Sequence, residues 1–308
     1  MNETAHRVAP LRHRGVSLVE LMVAMVIGLL ITGALLALFN GMQRSYRLAE
    51  ASSWLQEDAR YAADVIGTTL RAAGYTGCGV GNSVVYAPAG ADMASLKSRL
   101  EDGEALAPLS DTSVSLLSPM GPAYRVSEVN ADSSTIEVES DDRALNWPSG
   151  SVLLINDCQS IAIVRTNAAM SLSAGSSGSV AVTAAGLGNL NIDADAPAIV
   201  VRIEEQVLDL DGGDTLRLAG APLLSGIESM SLLYGISNGS NTIQQFVRHD
   251  GVGGSQILAV RFELLLRSEN DVLASAGEQQ YYFDGQLRQS NDRRLRYAIG
   301  GTVWLRNP

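Results

Sequence analysis

Lysine is nearly missing from this chain. Lys97 is the only one in 308 residues, and 22 basic residues face 33 acidic ones for a formal net charge of −11. Three of the basic residues (Arg7, Arg12, Arg14) and one acid (Glu3) precede Gly15, so the remainder carries 19 against 32, or −13. Phosphate-backbone binding needs clustered Lys and Arg, so this balance argues against nucleic acid as a partner of the body of the protein. Histidine is scarce as well. His6, His13 and His249 are all there is, and two of them lie in the first fifteen residues, which disfavours a metal site. No cofactor is expected. Cysteine is limited to Cys78 and Cys158, and no internal repeat of 20–50 residues stands out. The length is enough for one large domain or two small ones.

What the chain does have is one long apolar run. Leu21–Phe39 (LMVAMVIGLLITGALLALF) contains no charge. A helix needs roughly 20 apolar residues to cross a bilayer, so with Val16-Ser17-Leu18-Val19 in front this segment can span one. The arginines lie on its N-terminal side, which puts the N-terminus in the cytoplasm and the rest of the chain beyond the membrane. One carboxylate, Glu20, stands at the head of the run, five residues past Gly15. A secretory signal peptide is disfavoured by the length of the run and the lack of a small-x-small site after it. A plain single-span anchor leaves Gly15 and Glu20 unexplained. A polar, basic leader of residues 1–15, cut on the cytoplasmic side, accounts for both.

The helical pattern does not stop at the membrane. Met42, Tyr46, Ala49, Leu55, Ala59, Ala62, Ile66, Leu70 and Ala73 recur at three-and-four spacing, with polar residues between them. No Pro or Gly interrupts Gln43–Ile66, and Gly74 supplies a stop. The expectation is one helix from Val16 to Ala73, about 80 Å long at 1.5 Å per residue. Its half over 16–39 is apolar all round, and its half over 40–73 is amphipathic and backs a globular head. The competing picture is a span followed by a coiled-coil stalk.

From residue 74 to 308 short apolar runs alternate with Gly, Asn, Asp, Ser and Pro. The spacing predicts strands over Val114–Leu117, Ala123–Val129, Thr135–Glu139, Val152–Asn156, Ile161–Arg165, Val180–Thr183, Ala198–Leu210, Thr215–Leu218, Ile227–Tyr234, Gln256–Leu266, Glu278–Phe283 and Val303–Leu305. These are too short and turn-rich for a parallel sheet with crossover helices. The fold class is therefore α+β: a long N-terminal helix packed on a mainly antiparallel β head. Ala91–Glu101 is a weak segment, and Thr166–Gly178 reads as a Ser/Gly-rich surface loop. Two cysteines beyond the membrane are most simply one disulfide. Closing about 80 residues would be worth roughly 4 kcal/mol. Two buried free thiols are the alternative.

Other motifs are weak. Asp209-Leu210-Asp211-Gly212-Gly213-Asp214 lacks the ligand spacing of a calcium loop and reads as a hairpin turn. His249-Asp250 has no nucleophile motif nearby and reads as a polar loop. Asp292-Arg293-Arg294-Leu295-Arg296, the densest basic cluster past the leader, is a solvated face or else a partner-binding patch.

Gly15-Val16-Ser17-Leu18-Val19-Glu20 followed by an apolar helix resembles the class III leader of type IV pilins and type II secretion pseudopilins. Further residues are similar to the minor pilin PilW family. They are Leu55-Gln56-Glu57 with Arg60, Leu70-Arg71-Ala72-Ala73-Gly74-Tyr75, Gly77-Cys78, Asp157-Cys158, Gly226-Ile227-Glu228, Tyr234-Gly235, Val260-Arg261, Leu266-Arg267-Ser268, and the tail Arg294-Leu295-Arg296 with Val303-Trp304-Leu305-Arg306-Asn307. Residues 82–150 carry no such likeness. The anchor helix also lacks the proline that major pilins often have, with Gly28 and Gly33 as the residues available to loosen it.

The resemblance implies a pilin-like fold and a structural rather than enzymatic role. A prepilin peptidase would cut between Gly15 and Val16, and the new Val16 amine would be N-methylated. Glu20 would pair with that amine on an adjoining subunit. The expected function is a minor pilin that primes type IV pilus assembly within a tip complex, with adhesion and twitching motility downstream. Expected partners are other minor pilins, the major pilin, the peptidase, the inner-membrane assembly platform and a PilY-type tip adhesin. The chain would sit in the inner membrane with its head in the periplasm, then in the fibre or its tip. The nearest rival is a J-type minor pseudopilin of a type II secretion system. A rival of another class is a membrane-anchored periplasmic ligand-binding or enzymatic domain.

Overall fold

The computed structural model describes residues 17–77, 83–192, 198–239 and 242–306. In chain order, α1 (Leu18–Ala72) is followed by β1 (Val84–Tyr86), α2 (Ala91–Glu101), β2 (Leu106–Ser110), β3 (Ser113–Pro119), β4 (Tyr124–Asn130), β5 (Thr135–Ser140), β6 (Leu145–Trp147), β7 (Val152–Asn156) and β8 (Ser160–Thr166). Next come β9 (Met170–Leu172), β10 (Ser176–Ala184), β11 (Ala198–Leu210), β12 (Leu216–Leu218), β13 (Ala221–Leu224), β14 (Ile227–Ser237) and β15 (Gln245–Val247). The chain finishes with β16 (Gln256–Asp271), β17 (Gln280–Phe283), β18 (Gln286–Gln289) and β19 (Arg294–Trp304). Single turns of 3-10 helix occur at Leu187–Asn189 and His249–Gly251. The chain divides into two compact units, residues 1–51 and 52–308.

In the first unit every described residue belongs to the start of α1 or the residue before it, and all but the half-buried Ala51 are exposed. An 18-residue window reaches a mean hydropathy of 2.7 with none of it buried within the chain. Leu, Ile, Val and Met side chains pointing outward on all sides have no cover in water, so this helix belongs in an apolar medium. Thr32 donates its hydroxyl to the Gly28 carbonyl at 2.8 Å, which satisfies a polar group inside the run.

In the second unit the apolar stripe of α1 begins at Leu55. Leu55, Ala59, Ala62, Ile66 and Leu70 are buried, with Ala73 just past the end. Met42, Tyr46 and Ala49, which share the periodicity, are exposed. The alanines let the helix approach closely while Ile66 and Leu70 fill the space beyond. They pack with Leu106, Val114, Leu116 and Leu208 of one sheet and with Ile227, Leu232, Tyr234 and Leu264 of another. The helix stops where expected. Gly74 takes φ 72 and gives its N–H to the Leu117 carbonyl at 2.9 Å, so the stop itself is tied to β3.

The larger sheet has eleven strands and is organised on β11. Successive stretches of that strand pair antiparallel with β4 at Ala198–Val200, β7 at Ile199–Ile203, β3 at Ile203–Asp209 and β12 at Leu208–Leu210. One short pair, β1 with β8, is parallel. The second sheet runs β15-β14-β16-β19, all antiparallel. Two further cores lie within the larger sheet. One centres on Val126, Ile136, Val164 and Val200 with Tyr124 edge-on to Trp147 at 5.9 Å. The other lies under α2 around Met93, Leu100, Ile161 and Val201.

The antiparallel α+β head stands as expected. The short strands β1, β2, β6, β13, β15 and β18 fall outside the expected set, and three further segments differ. Ala91–Glu101, the weak segment, is a helix that buries Met93 and Leu100. The expected surface loop at Thr166–Gly178 contains β9 and the start of β10, which pair with β6 and β5. A Cβ at Gly178 would lie 2.7 Å from Leu172 Cδ2, so any larger residue there would displace the Leu172 side chain. The last strand starts at Arg294, nine residues earlier than the expected Val303.

The helix stripe sets the stability of the second unit. Ile66→Ala should destabilise it by about 2–5 kcal/mol, and Ile66→Val by about 1 kcal/mol. Urea unfolding of the full chain in detergent micelles, followed by tryptophan fluorescence, measures both.

Candidate functional site

The first described residues build a helix start around a carboxylate. Ser17 precedes α1, and its hydroxyl accepts the Glu20 N–H at 3.1 Å while its carbonyl accepts the Leu21 N–H at 3.1 Å. This is an N-cap, and Ser-x-x-Glu is the spacing that announces one. Ser17 is therefore a positioning residue that this spacing makes legible in the sequence. Its cap places Glu20 in the first turn, where the partial positive charge of the helix end favours an anion. Glu20 is exposed, and among the described residues no cation or donor takes up its carboxylate. Gly15 and Val16 lie outside the described residues, as do His6 and His13.

Of the cysteine pair, Cys158 is described and Cys78 lies outside the described residues. Cys158 has φ 70, a left-handed conformation that is unusual for a side chain of its kind. Its N–H donates to Asn156 Oδ1 at 2.7 Å. The buried Asn156 amide in turn donates to the carbonyl and hydroxyl oxygens of Thr76, both at 3.2 Å. The chain two residues before Cys78 is thus held against the chain two residues before Cys158.

His249-Asp250 does not work as a pair. His249 Nδ1 sits 2.8 Å from Asp111 Oδ1 instead, and Arg248 bridges Asp111 at 2.7 Å and Asp284 at 2.6 Å. Ser231 donates its hydroxyl to Asp284. Serine, histidine and carboxylates therefore share one network, but the serine hydroxyl faces a carboxylate rather than the imidazole. Burial would push the Asp111 carboxyl up, yet its hydrogen bonds to His249 and Arg248 hold it below the usual range. The network ties the β2–β3 turn, β14, the 3-10 turn after β15 and the β17–β18 turn to one another. Tyr234, buried beneath, has its phenol pushed above its ordinary value by burial and by Asp111.

The Asp292–Arg296 cluster is not a solvated face at Arg296. That side chain is 3% exposed, with Glu228 at 2.8 Å and Asp292 at 2.6 Å. Alternation puts Arg296 on the face of β19 opposite the core-packed Leu295, Ile299 and Val303; its guanidinium is covered there with Glu228 and Asp292, and the two carboxylates offset the loss of water. The Asp209–Asp214 stretch forms the expected hairpin turn between β11 and β12. Asp211 Oδ1 accepts from the N–H groups of Gly213 and Thr215. Among the described residues no cluster of three or more His, Cys, Asp or Glu could hold a metal.

Two family models match the chain. Residues 10–36 match the prokaryotic N-terminal methylation motif. Residues 194–307 match type IV pilus-assembly protein W. The first covers Gly15, Val16, Glu20 and most of the apolar run, and the second covers the strands from β11 to β19. No curated protein and no solved structure gives a match. Together the two matches agree with the PilW resemblance and support a type IV pilin-like minor pilin. Such a role entails interaction with other pilus components and association with a membrane.

The buried Arg296 ties stability to acid pH. Hydrogen bonds from Arg296 hold the Asp292 carboxyl at about 2, below its ordinary 3.8, against the opposing effect of burial and with help from the Arg294 N–H. A depressed folded value means that this contribution is complete above the unfolded value and disappears as pH falls through about 2. The urea midpoint should therefore drop between pH 4 and pH 2, and Asp292→Asn should flatten that part of the profile.

Proposed function

We propose that this chain is a minor pilin that primes type IV pilus assembly as part of a tip complex. The observation that carries this reading is Glu20: an exposed carboxylate in the first turn of an apolar helix, inside the segment that matches the methylation motif, with no cation beside it among the described residues. A carboxylate within hydrocarbon is costly, about 2–3 kcal/mol or more at the bilayer centre, and calls for a partner. Peptidase cleavage between Gly15 and Val16 supplies one, because it frees an α-amine that is then N-methylated. Glycine before the cut lets the peptidase hold an extended backbone closely. Glu20 pairs with the amine of the adjoining subunit, and the pair sets register as the subunit leaves the bilayer.

The leader of residues 1–15 keeps the N-terminus cytoplasmic by its arginines. Residues 16–39 then cross the inner membrane, residues 40–73 form the amphipathic half of the helix, and residues 74–308 are the periplasmic head that meets other minor pilins, the major pilin and a tip adhesin. A Cys78–Cys158 disulfide fits that compartment. It is supported by the Asn156–Thr76 hydrogen bonds beside both cysteines and by the lack of a free thiol among the described cysteines.

Glu20→Ala should leave leader cleavage intact and reduce incorporation into the fibre. Immunoblotting of membranes and of sheared pili reads both, and normal piliation would sink the proposal. Cys158→Ser should lose roughly 4 kcal/mol of stability through loop entropy. It should also abolish the mobility difference between reduced and unreduced chain on a denaturing gel.

A further inference from the structure

The four-stranded sheet ends in a strand whose outer edge is half closed and half open. In the pairing of β16 with β19, Ala259 faces Trp304 and Arg267 faces Arg296, an unbroken register. Leu305 continues it by donating its N–H to the Leu258 carbonyl at 2.9 Å. Antiparallel pairs alternate between bonded and non-bonded. Residues 297, 299, 301, 303 and 305 therefore turn their N–H and C=O toward β16, and residues 296, 298, 300, 302 and 304 turn theirs outward.

At Arg296 the outward groups are taken. Gln279 Oε1 accepts the Arg296 N–H at 2.7 Å, and Gln279 Nε2 donates to the Arg296 carbonyl at 2.6 Å. One side-chain amide thus stands in for a neighbouring strand. Beyond it, no described strand pairs with the outward groups of Ala298, Gly300, Thr302 and Trp304. This stretch, Ala298 to Trp304, would span about 23 Å. Proteins usually protect such an edge with Lys, Pro, a bulge or an inward charge, and none of these is present here. Gly300 cannot supply a protecting side chain, since a Cβ would lie 2.9 Å from the Phe262 carbonyl oxygen. Gly300, Thr302 and Trp304 are all exposed.

Two arginines stand beside the open stretch, and the carboxylate that faces it from β16, Glu263 opposite Gly300, is occupied by the Asp284 N–H at 2.7 Å. Arg261, on the facing strand, lies over the Phe246 ring at 3.9 Å and reaches Thr302 Oγ1, and Arg306 is exposed just past Trp304. A second copy of this chain laid along the edge would bring these arginines toward their own equivalents. A strand bearing carboxylates would meet them with opposite charge.

We propose that the edge from Ala298 to Trp304 is a β-augmentation site that takes an extended, acidic strand from the head of another pilin-type subunit. The choice of a pilin-type partner rests on the function proposed above.

The test uses the full chain, co-expressed with the other pilin-type subunits of its source cell and carrying a photoreactive benzoylphenylalanine in place of Trp304. Illumination should cross-link it to an edge strand of a different pilin-type subunit, located by peptide mass spectrometry. Thr302→Pro removes an outward N–H that the fold does not use, and Thr302→Lys adds an edge charge without touching the backbone. Each should lower the cross-link yield about fivefold or more, as expected for a lost backbone hydrogen bond or a blocked edge. Their urea midpoints should stay close to that of the parent. Adducts confined to a second copy of this chain, no adduct at all, or an undiminished yield in whichever variant folds would overturn the proposal. Co-purification with the pilin-type subunits in the absence of this cross-link would reject the edge alone. Loss of co-purification as well would reject the functional reading beneath it.

Discussion

Burial of one helical stripe is the constraint on which the second unit depends. Leu55, Ala59, Ala62, Ile66, Leu70 and Ala73 supply one side of a core whose other sides come from both large sheets. Neither sheet has another helix to cover these particular residues, so the two sheets are joined through the stripe as much as through strand pairing. Each fully buried Leu or Ile contributes about 1.5–3 kcal/mol in this bookkeeping. The alanines contribute little area, but they set how near the helix can come. The tie from Gly74 to Leu117 then fixes where the helix ends against β3.

Polar contacts position what the stripe leaves free. Arg248 and Arg296 each bridge two carboxylates drawn from separate parts of the sequence; the first joins three turns, and the second fastens the turn before β19 to β19 and β14. The two differ in burial. The Arg296 side chain is almost wholly enclosed, so removing one partner would strand a charge away from water. Arg248 is about two-fifths exposed, and its pairs are correspondingly screened by solvent. The same division explains why the acid-sensitive contribution is assigned to Asp292 rather than to the more exposed network around Asp111.

Much of this was legible in the sequence because burial imposes a period. The bounds of β7 and β11 coincide with the runs Val152–Asn156 and Ala198–Leu210: the first is a short continuous apolar run, the second a long one with alternation, and both are closed by turn residues. The helix stop at Gly74 was likewise legible. Where the period is short or diluted, the signal failed. β6 and β9 are three residues each and exist because they pair with one another. The first residues of β10 are Ser-Ser-Gly-Ser, with no apolar alternation, and they are strand because β5 supplies the ladder. The early part of β19 was hidden because Arg294, Arg296, Gly300 and Gly301 look like a solvated, broken segment. The buried pairing of Arg296 and the close approach of Phe262 to Gly300 depend on residues far away in sequence. At the helix start, Ser17 carried a readable capping signal, whereas its consequence for Glu20 needed the geometry.

The candidate site and the open edge share one physical character, which is valence left over after folding. Glu20 is placed by a cap that satisfies its backbone and leaves its carboxylate unpaired among the described residues. The apolar run behind it finds no cover within the chain. At β19 the fold closes the edge at Arg296 with the Gln279 amide and stops there, although Ala298, Gly300, Thr302 and Trp304 present the same kind of groups. Arg261 and Arg306 stand beside that edge, and Glu263, opposite Gly300, is taken up by the Asp284 N–H. In the function and the edge pairing proposed above, other molecules complete these groups: a bilayer for the run, an amine for Glu20, and a strand for the edge.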